Sequence, residues 1–372
     1  MRAVAVCGSE IRQLQPLNAT LATVELEGAA VDCGVVEVAS PAFMPSDPSS
    51  AGSVLLQVRA FSCNYRDRAL MLVMARRGPP DRYLVVGSEF VADVVAVGDG
   101  VADLAPGDRV SANNSWPDRR PVGWRAGIAT NHASRERLVL RAEKLAKVPA
   151  AMSLETAAGF SLGGQTAYSM LRKLDVRAGE HVLVTAARSN TSLFAINALR
   201  GRGAHVYATT RSTRFARELE ALGVEAAFAV EPGTVSFTEH EGIASLLADI
   251  GGFDCVLDPF FDLHLARVMP AMAKSGRYVT CGNHDQHLAL TGGSTPPPDY
   301  AAALATAMRK NVHIIGNCIG LTSDLEAALR DYAAGALDVV IDSAHSGGRV
   351  RDFLDRTYND AGRFGKVVYR WD

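Results

Sequence analysis

HVLVTAARSNTSLFAINAL, His181 to Leu199, is the stretch whose reading decides the fold. It opens with a short apolar run, HVLV, and closes with an apolar segment of helical length, SLFAINAL. A strand without polar alternation is covered on both faces, which is the habit of parallel sheets. The pattern repeats downstream. HVYATTR (205–211) precedes the helical TRFARELEALG, FDCVLDPF (253–260) precedes LHLARVMPAMAKSG, and GRYVTCG (276–282) is followed by YAAALATAMRKN and VHIIG (312–316). Strict strand–helix alternation over 151–321 predicts an α/β domain with a doubly wound parallel sheet.

The segment 1–150 has another texture. SVLLQVRAF (53–61), YLVVGSEFVADVVAVG (83–98) and RLVLRA (137–142) are short Val-rich runs punctuated by Gly, Pro and Asp. In AVGDGVADLAPGDRV (96–110), the turn signals GDG and PGD sit between valines, as at a small β-barrel corner. The tail at about 322–372 alternates helix and strand and ends on GKVVYRW; it is expected to complete the first domain.

The bulk properties exclude several functions. The net charge of −2 over 372 residues lacks the basic excess of nucleic-acid binders. No apolar run approaches the ~20 residues of a membrane span. MRAVAVCGSEIRQ has no apolar signal-peptide core and reads as a first strand. The six cysteines are scattered without a CxxC spacing, which suits reduced thiols in a cytoplasmic protein.

GSEFVADVVAVGDGVADLAPGDRV (87–110), AAGFSLGGQTAYSML (157–171), AGEHVLVTAA (178–187) and GRFGKVVYR (362–370) together resemble the medium-chain dehydrogenase/reductase superfamily. The match in order and spacing runs from about Val54 to the C-terminus; the first fifty residues match loosely. The resemblance implies a GroES-like β-barrel catalytic domain, 1–150 completed by about 322–372, and a Rossmann-like cofactor domain, 151–321.

Zinc-dependent members carry a Cys-His pair, a Gly-His-Glu motif and a later Cys. Here Asn64 and Tyr65 replace the pair, Ser88 the histidine and Leu162 the cysteine, with Cys63 one position early. A catalytic zinc needs about three N, S or O ligands, so no metal is expected. The segment 113–132 also lacks the cysteines of a structural zinc lobe. The NYRD phrase resembles the zinc-independent quinone reductase and enoyl reductase branch. In His284-Asp285-Gln286-His287, the pattern of a metal site competes with that of a loop at a strand end; Asn283 and His284 are retained as residues lining a crevice.

The loop 185–192 lacks the three glycines of a dinucleotide turn. Phosphate is held there mainly by backbone N–H groups and a helix start, which remain whatever the side chains are. Ser189, Asn190, Thr191 and Ser192 are small or turn-tolerant, Asn190 suits a left-handed backbone, and Ser192 suits a helix cap. The opposing reading is a closed loop that binds nothing. After the second strand, Thr210, Arg211 and Arg214 stand where an acid would bind a ribose hydroxyl, a chemistry that favours the 2′-phosphate of NADPH. Thr166 and Gly282 resemble family positions that pass the nicotinamide.

Without zinc, hydride transfer to a conjugated carbonyl is the chemistry that needs least help. Tyr65 is the expected acid and Asn64 the expected carbonyl donor; Arg66 and Asp67 read as a structural ion pair. Ser88, Phe260, Asn283 and His284 are the expected substrate pocket. The expected function is a zinc-independent NADPH-dependent reductase of a conjugated, hydrophobic small molecule, including a reductive cyclase of natural-product biosynthesis, acting as a homodimer paired through VHIIG. The competing expectation is a non-redox member of the fold, a cofactor-free cyclase, lyase or binding protein.

Overall fold

In the computed structural model, residues 1–11, 21–115, 130–284 and 299–372 are described. Two compact units form among them: 1–162 with 340–372, and 163–339.

The first unit is built from antiparallel strands. β1 (Arg2–Cys7), β2 (Leu21–Leu26) and β3 (Ala29–Glu37) combine with β5 (Tyr83–Val85) in one sheet of order β2-β3-β1-β5. β4 (Ser53–Ser62), β6 (Glu89–Val97), β7 (Arg109–Ala112), β8 (Arg137–Arg141) and β9 (Leu145–Lys147) belong to a second. Along β4, Val54, Leu56 and Val58 are fully buried at alternate positions, the period-two signature of a pleated strand. The GDG and PGD signals are both turns, with Gly100 at φ +80° and Gly107 at φ +94°, a backbone that glycine adopts without Cβ strain.

The second unit holds β10 (His181–Val184), β11 (His205–Thr210), β12 (Ala226–Ala229), β13 (Phe253–Asp258), β14 (Met272–Thr280) and β15 (His313–Gly316). All pair parallel, in the order β12-β11-β10-β13-β14-β15. Val182, Leu183 and Val184 are fully buried in succession, as expected where helices cover both faces. The order of strands reverses between β10 and β13. A crevice opens at such a switch point because successive connections leave to opposite sides.

The chain then returns to the first unit with β16 (Ile341–Ser346) and β17 (Lys366–Arg370), which pairs with β4. Phe353 and Tyr369 of this tail pack on Phe61 at centroid distances of 5.6 and 5.2 Å. The changeovers at 162/163 and 339/340 differ from the sequence boundaries at 150/151 and 321/322. Helix Leu154–Ala158 packs with β4 and β6, whereas helix Thr322–Ala333 stays with the second unit, where Asp324 pairs with Arg172 at 2.7 Å. Hydrophobic rhythm marks a helix but not the unit it packs on.

Candidate functional site

In the second unit, the switch point is bridged by one carboxylate. Asp258, fully buried at the end of β13, accepts from Thr185 Oγ1 at 2.6 Å, across the reversal. It also accepts from the Phe260 N–H at 2.9 Å, His264 Nδ1 at 2.8 Å, and the Tyr278 hydroxyl. Burial pushes its pKa up, but His264, Thr185 and Tyr278 outweigh burial and hold it below the ordinary carboxylate value. Burial and Asp258 push the Tyr278 phenol well up, so it remains a donor. The rims of β10, β13 and β14 are thereby tied together.

The glycine-free loop keeps the backbone of a tight turn. Ala186, not Asn190, takes the left-handed conformation, at φ +44°. Asn190 is the first residue of helix Asn190–Leu199, which Ser189 caps by accepting from the Ser192 N–H at 3.1 Å. Ser192, which its type and place suit for a cap, is not one: it is fully buried, and its hydroxyl donates to the Thr185 carbonyl at 2.8 Å. Where glycine lets a helix approach a strand by lacking a side chain, this serine spans the contact with a hydrogen bond. The hydroxyls of Ser189 and Ser192 are both used inside the loop, 2.8 Å apart. A further close approach lies at Gly163, where a Cβ would come within 2.5 Å of Asn190 Nδ2 and 2.7 Å of Phe194. Thr191 is half-buried and Thr166 buried.

Other expected residues converge on the ends of β13 and β14. Phe260 meets His284 edge to face at 5.6 Å. The Gly282 carbonyl accepts from the Phe261 N–H at 3.1 Å, and the His284 N–H donates to Asp262 at 2.7 Å. Asn283 is half-buried beside them. Asp285 to His287, and most of the 113–132 segment, lie outside the described residues. At the end of β11, the Thr210 hydroxyl turns back to the Ser212 carbonyl at 3.3 Å, and Arg211 and Arg214 are exposed.

In the first unit, Asn64, Ser88 and Glu89 meet in a buried polar network. Glu89 is fully buried; its Oε2 accepts from Lys366 Nζ at 2.5 Å and Asn64 Nδ2 at 2.9 Å, and its Oε1 from the Leu162 N–H at 2.6 Å. Burial pushes the Glu89 pKa up, but the Lys366 ammonium, with the hydrogen bonds from Asn64 and the Leu162 N–H, outweighs burial and holds it down. Lys366 also donates to Asn64 Oδ1 at 2.7 Å, and Asn64 Nδ2 donates to Ser88 Oγ at 2.9 Å. Gly159 makes room for the lysine: a Cβ there would lie 2.8 Å from Lys366 Cγ.

These bonds change what the residues can do. Asn64 has its amide hydrogens and its oxygen engaged inside the network, which leaves it a positioning group. Ser88 is 1 % exposed and donates to Asp67 at 2.5 Å, so it is an interior residue and not an open pocket wall. Asp67 accepts from Ser88, Asn64 N–H, Gly87 N–H and Thr130; these, not Arg66, are its partners. Tyr65 is half-buried, with the Arg68 guanidinium carbon 4.3 Å from its ring centroid.

Lys366 was not singled out in the sequence, although it lies inside GRFGKVVYR. Its only signal in the sequence is a lysine that opens the final strand, KVVYR, ahead of two valines. Among the described residues, no group of three or more His, Cys, Asp or Glu is placed to hold a metal ion. Nor is any described helix long and apolar enough to cross a membrane.

The alcohol dehydrogenase GroES-like domain family matches residues 50–171. Acryloyl-coenzyme A reductase of Metallosphaera sedula is 29 % identical over 87 % of this chain and 93 % of its own length. Polyketide synthase GfsB of Streptomyces halstedii is 31 % identical over 64 % of this chain, which spans 4 % of that synthase. A solved NAD-dependent alcohol dehydrogenase superposes with TM-score 0.72 at 26 % identity, each chain covered in full. With a GroES-like family match in the antiparallel first unit and a parallel, Rossmann-like second unit, the chain belongs to the medium-chain dehydrogenase/reductase superfamily.

Proposed function

We propose that this chain is a zinc-independent, NADPH-dependent reductase of a conjugated carbonyl or quinone-like small molecule. The observation that carries the reading is the Glu89–Lys366–Asn64–Ser88 network. Neutral amide and hydroxyl groups stand at the positions that resemble zinc ligands, Asn64 and Ser88, with a lysine ammonium bonded to Asn64, and such groups do not make a tetrahedral ligand set. The likeness to an acryloyl-coenzyme A reductase and to a polyketide synthase supports a conjugated acyl acceptor.

The second unit fits a dinucleotide. Ala186 keeps the turn, Ser189 caps the helix without acidic groups in its first turn, and Arg211 and Arg214 supply positive charge for a 2′-phosphate. When bound, NADPH supplies the hydride for the conjugated acceptor. The protein's residues do the rest. Asp258 holds the rims of β10, β13 and β14 in register. Phe260 and His284 provide an aromatic wall for a hydrophobic substrate. Tyr65, with its ring fixed by Arg68, delivers the proton to the α carbon, and the buried network holds Asn64 at the start of the helix that carries it. Where the substrate bears a second electrophile, closure of a ring replaces that protonation, and the enzyme acts as a reductive cyclase in natural-product biosynthesis. The protein works in the cytoplasm as a homodimer joined through β15, an edge strand with Ile314 exposed.

Thermal unfolding with and without NADPH tests the reading. At a hundredfold excess over Kd, binding adds about 2.7 kcal/mol, a readily visible shift. A folded protein that shows no shift at millimolar NADPH leaves the non-redox reading, and stoichiometric zinc in the purified protein overturns the metal-free one. Tyr65→Phe is expected to lower turnover while NADPH affinity stays unchanged; wild-type turnover would make Tyr65 a packing residue.

A further inference from the structure

Phe215 ends the short helical turn Thr213–Phe215 that follows β11, and its side chain is buried. The Arg214 guanidinium carbon lies 5.3 Å from the centroid of its ring. The Arg188 guanidinium carbon lies 4.9 Å from the same centroid, reached from the loop after β10. One phenyl ring therefore holds two guanidinium groups from two connections, no more than about 10 Å apart. Arg211 adds a third positive charge at the start of the second connection. Among the described residues, neither Arg211 nor Arg214 pairs with a carboxylate, whereas Arg172, Arg177, Arg200 and Arg277 of the same unit do.

Gathering like charges costs energy that an aromatic face returns only in part, by about 0.5–1 kcal/mol for each exposed stack. A dianion between the guanidinium groups removes that cost. Arginine suits a phosphate monoester because its planar fork bonds two oxygens at once, and a stacked guanidinium has already lost much of the freedom that binding would remove. The loop after β10 and the connection after β11 are adjacent because those strands are paired in register, Val184 beside Ala208.

We propose that Arg188 is a cofactor-specificity residue: with Arg214, on the shared platform of Phe215, it grips the 2′-phosphate of NADPH. This rests on the NADPH reading above. It extends the phosphate socket from the second connection, where the sequence suggested it, to the glycine-free loop itself. The substitution of that loop then does more than preserve a turn, because its arginine selects the cofactor.

The experiment measures Kd for NADPH, NADH and adenosine 2′,5′-bisphosphate by calorimetry, for wild type and Arg188→Ala. The proposal expects NADPH and the bisphosphate to weaken about tenfold or more while NADH changes less than about twofold. Arg188→Lys should recover part of the loss. Phe215→Leu, which keeps every charge and removes the platform, should give an intermediate loss. Equal weakening of NADPH and NADH would assign Arg188 to the pyrophosphate and overturn the proposal, as would an unchanged NADPH Kd. A wild type that binds NADPH while Arg188→Ala keeps its preference sinks only the role of Arg188. A wild type that binds neither dinucleotide, or prefers NADH, sinks the NADPH reading with it. An unchanged unfolding temperature of each variant without ligand shows that the fold is intact.

Discussion

Glu89 in the first unit and Asp258 in the second are both completely buried, and the two are satisfied by different means. Glu89 accepts from Ser62, Asn64 and the Leu162 N–H, but its counter-charge is a single lysine ammonium from a strand 277 residues away. Asp258 is satisfied by a threonine hydroxyl, a tyrosine hydroxyl, an imidazole and a backbone N–H, and three of the four donors lie within about twenty residues of it. A buried charge with a counter-ion depends on that one partner; a buried charge shared among several hydrogen bonds loses only a fraction when one goes. The first arrangement locks the C-terminal tail into the unit that it completes. The second braces the rim where the dinucleotide is proposed to bind.

The largest test of this contrast is Lys366→Met. It leaves Glu89 buried and unpaired, and should cost about 3–5 kcal/mol in urea unfolding. Glu89→Gln combined with Lys366→Gln removes both charges and should recover most of that loss. If the double variant is no more stable than the single one, the pair is not the source of the cost.

Asp258→Asn should cost less, about 1–3 kcal/mol, because an amide can keep some of the donors but not all. Its effect on NADPH affinity should exceed its effect on global stability, since it loosens the rim. A greater loss of stability than in Lys366→Met would reverse the comparison.

Acid should act on both units with the same sign. Glu89 and Asp258 are held below their ordinary values of 4.5 and 3.8, so their stabilisation is present above those values and is lost as pH falls through the depressed folded values. The unfolding temperature should be level above about pH 5 and fall below about pH 4.5. In Glu89→Gln the fall should be shallower; an identical acid profile would exclude Glu89 as a contributor.

The smallest effect belongs to Ala186. A left-handed alanine costs about 1–2 kcal/mol in the folded state, whereas glycine costs about 0.5–1 kcal/mol through the unfolded chain. Ala186→Gly should therefore stabilise by up to about 1 kcal/mol. Ala186→Val should destabilise, because a β-branched side chain tolerates positive φ poorly. A clear loss in the glycine variant would mean that the Ala186 methyl packs in a way its backbone does not reveal.

Much of the architecture was readable in the residues. Continuous apolar strands between helices imply parallel pairing, and HVLV and FDCVLD are flanking strands of that sheet. Turn chemistry at GDG and PGD placed corners because Gly100 and Gly107 need a backbone that other residues resist. Phe260 and His284, read as lying at strand ends, are in edge-to-face contact. The details of the loop were harder to read. Propensity favoured Asn190 for the left-handed residue, yet the turn falls at Ala186, because the helix had already started at Asn190. Propensity ranks residue types; it does not place the first turn of a helix to the residue.

The sequence by itself determined the apolar strands around HVLV, HVYATT, FDCVLD and GRYVT and their alternation with helices, since these follow from local spacing, while the family resemblance marked the positions where zinc ligands are replaced. Only the tertiary structure decided that Lys366 neutralises Glu89, that Asn64 and Ser88 are consumed inside that network, and that Arg188 and Arg214 share one ring. Periodicity assigns a side chain to a face. Its partner is set by the register between strands far apart in the chain, and a buried charge is stable only where that register delivers the opposite charge to within a hydrogen bond.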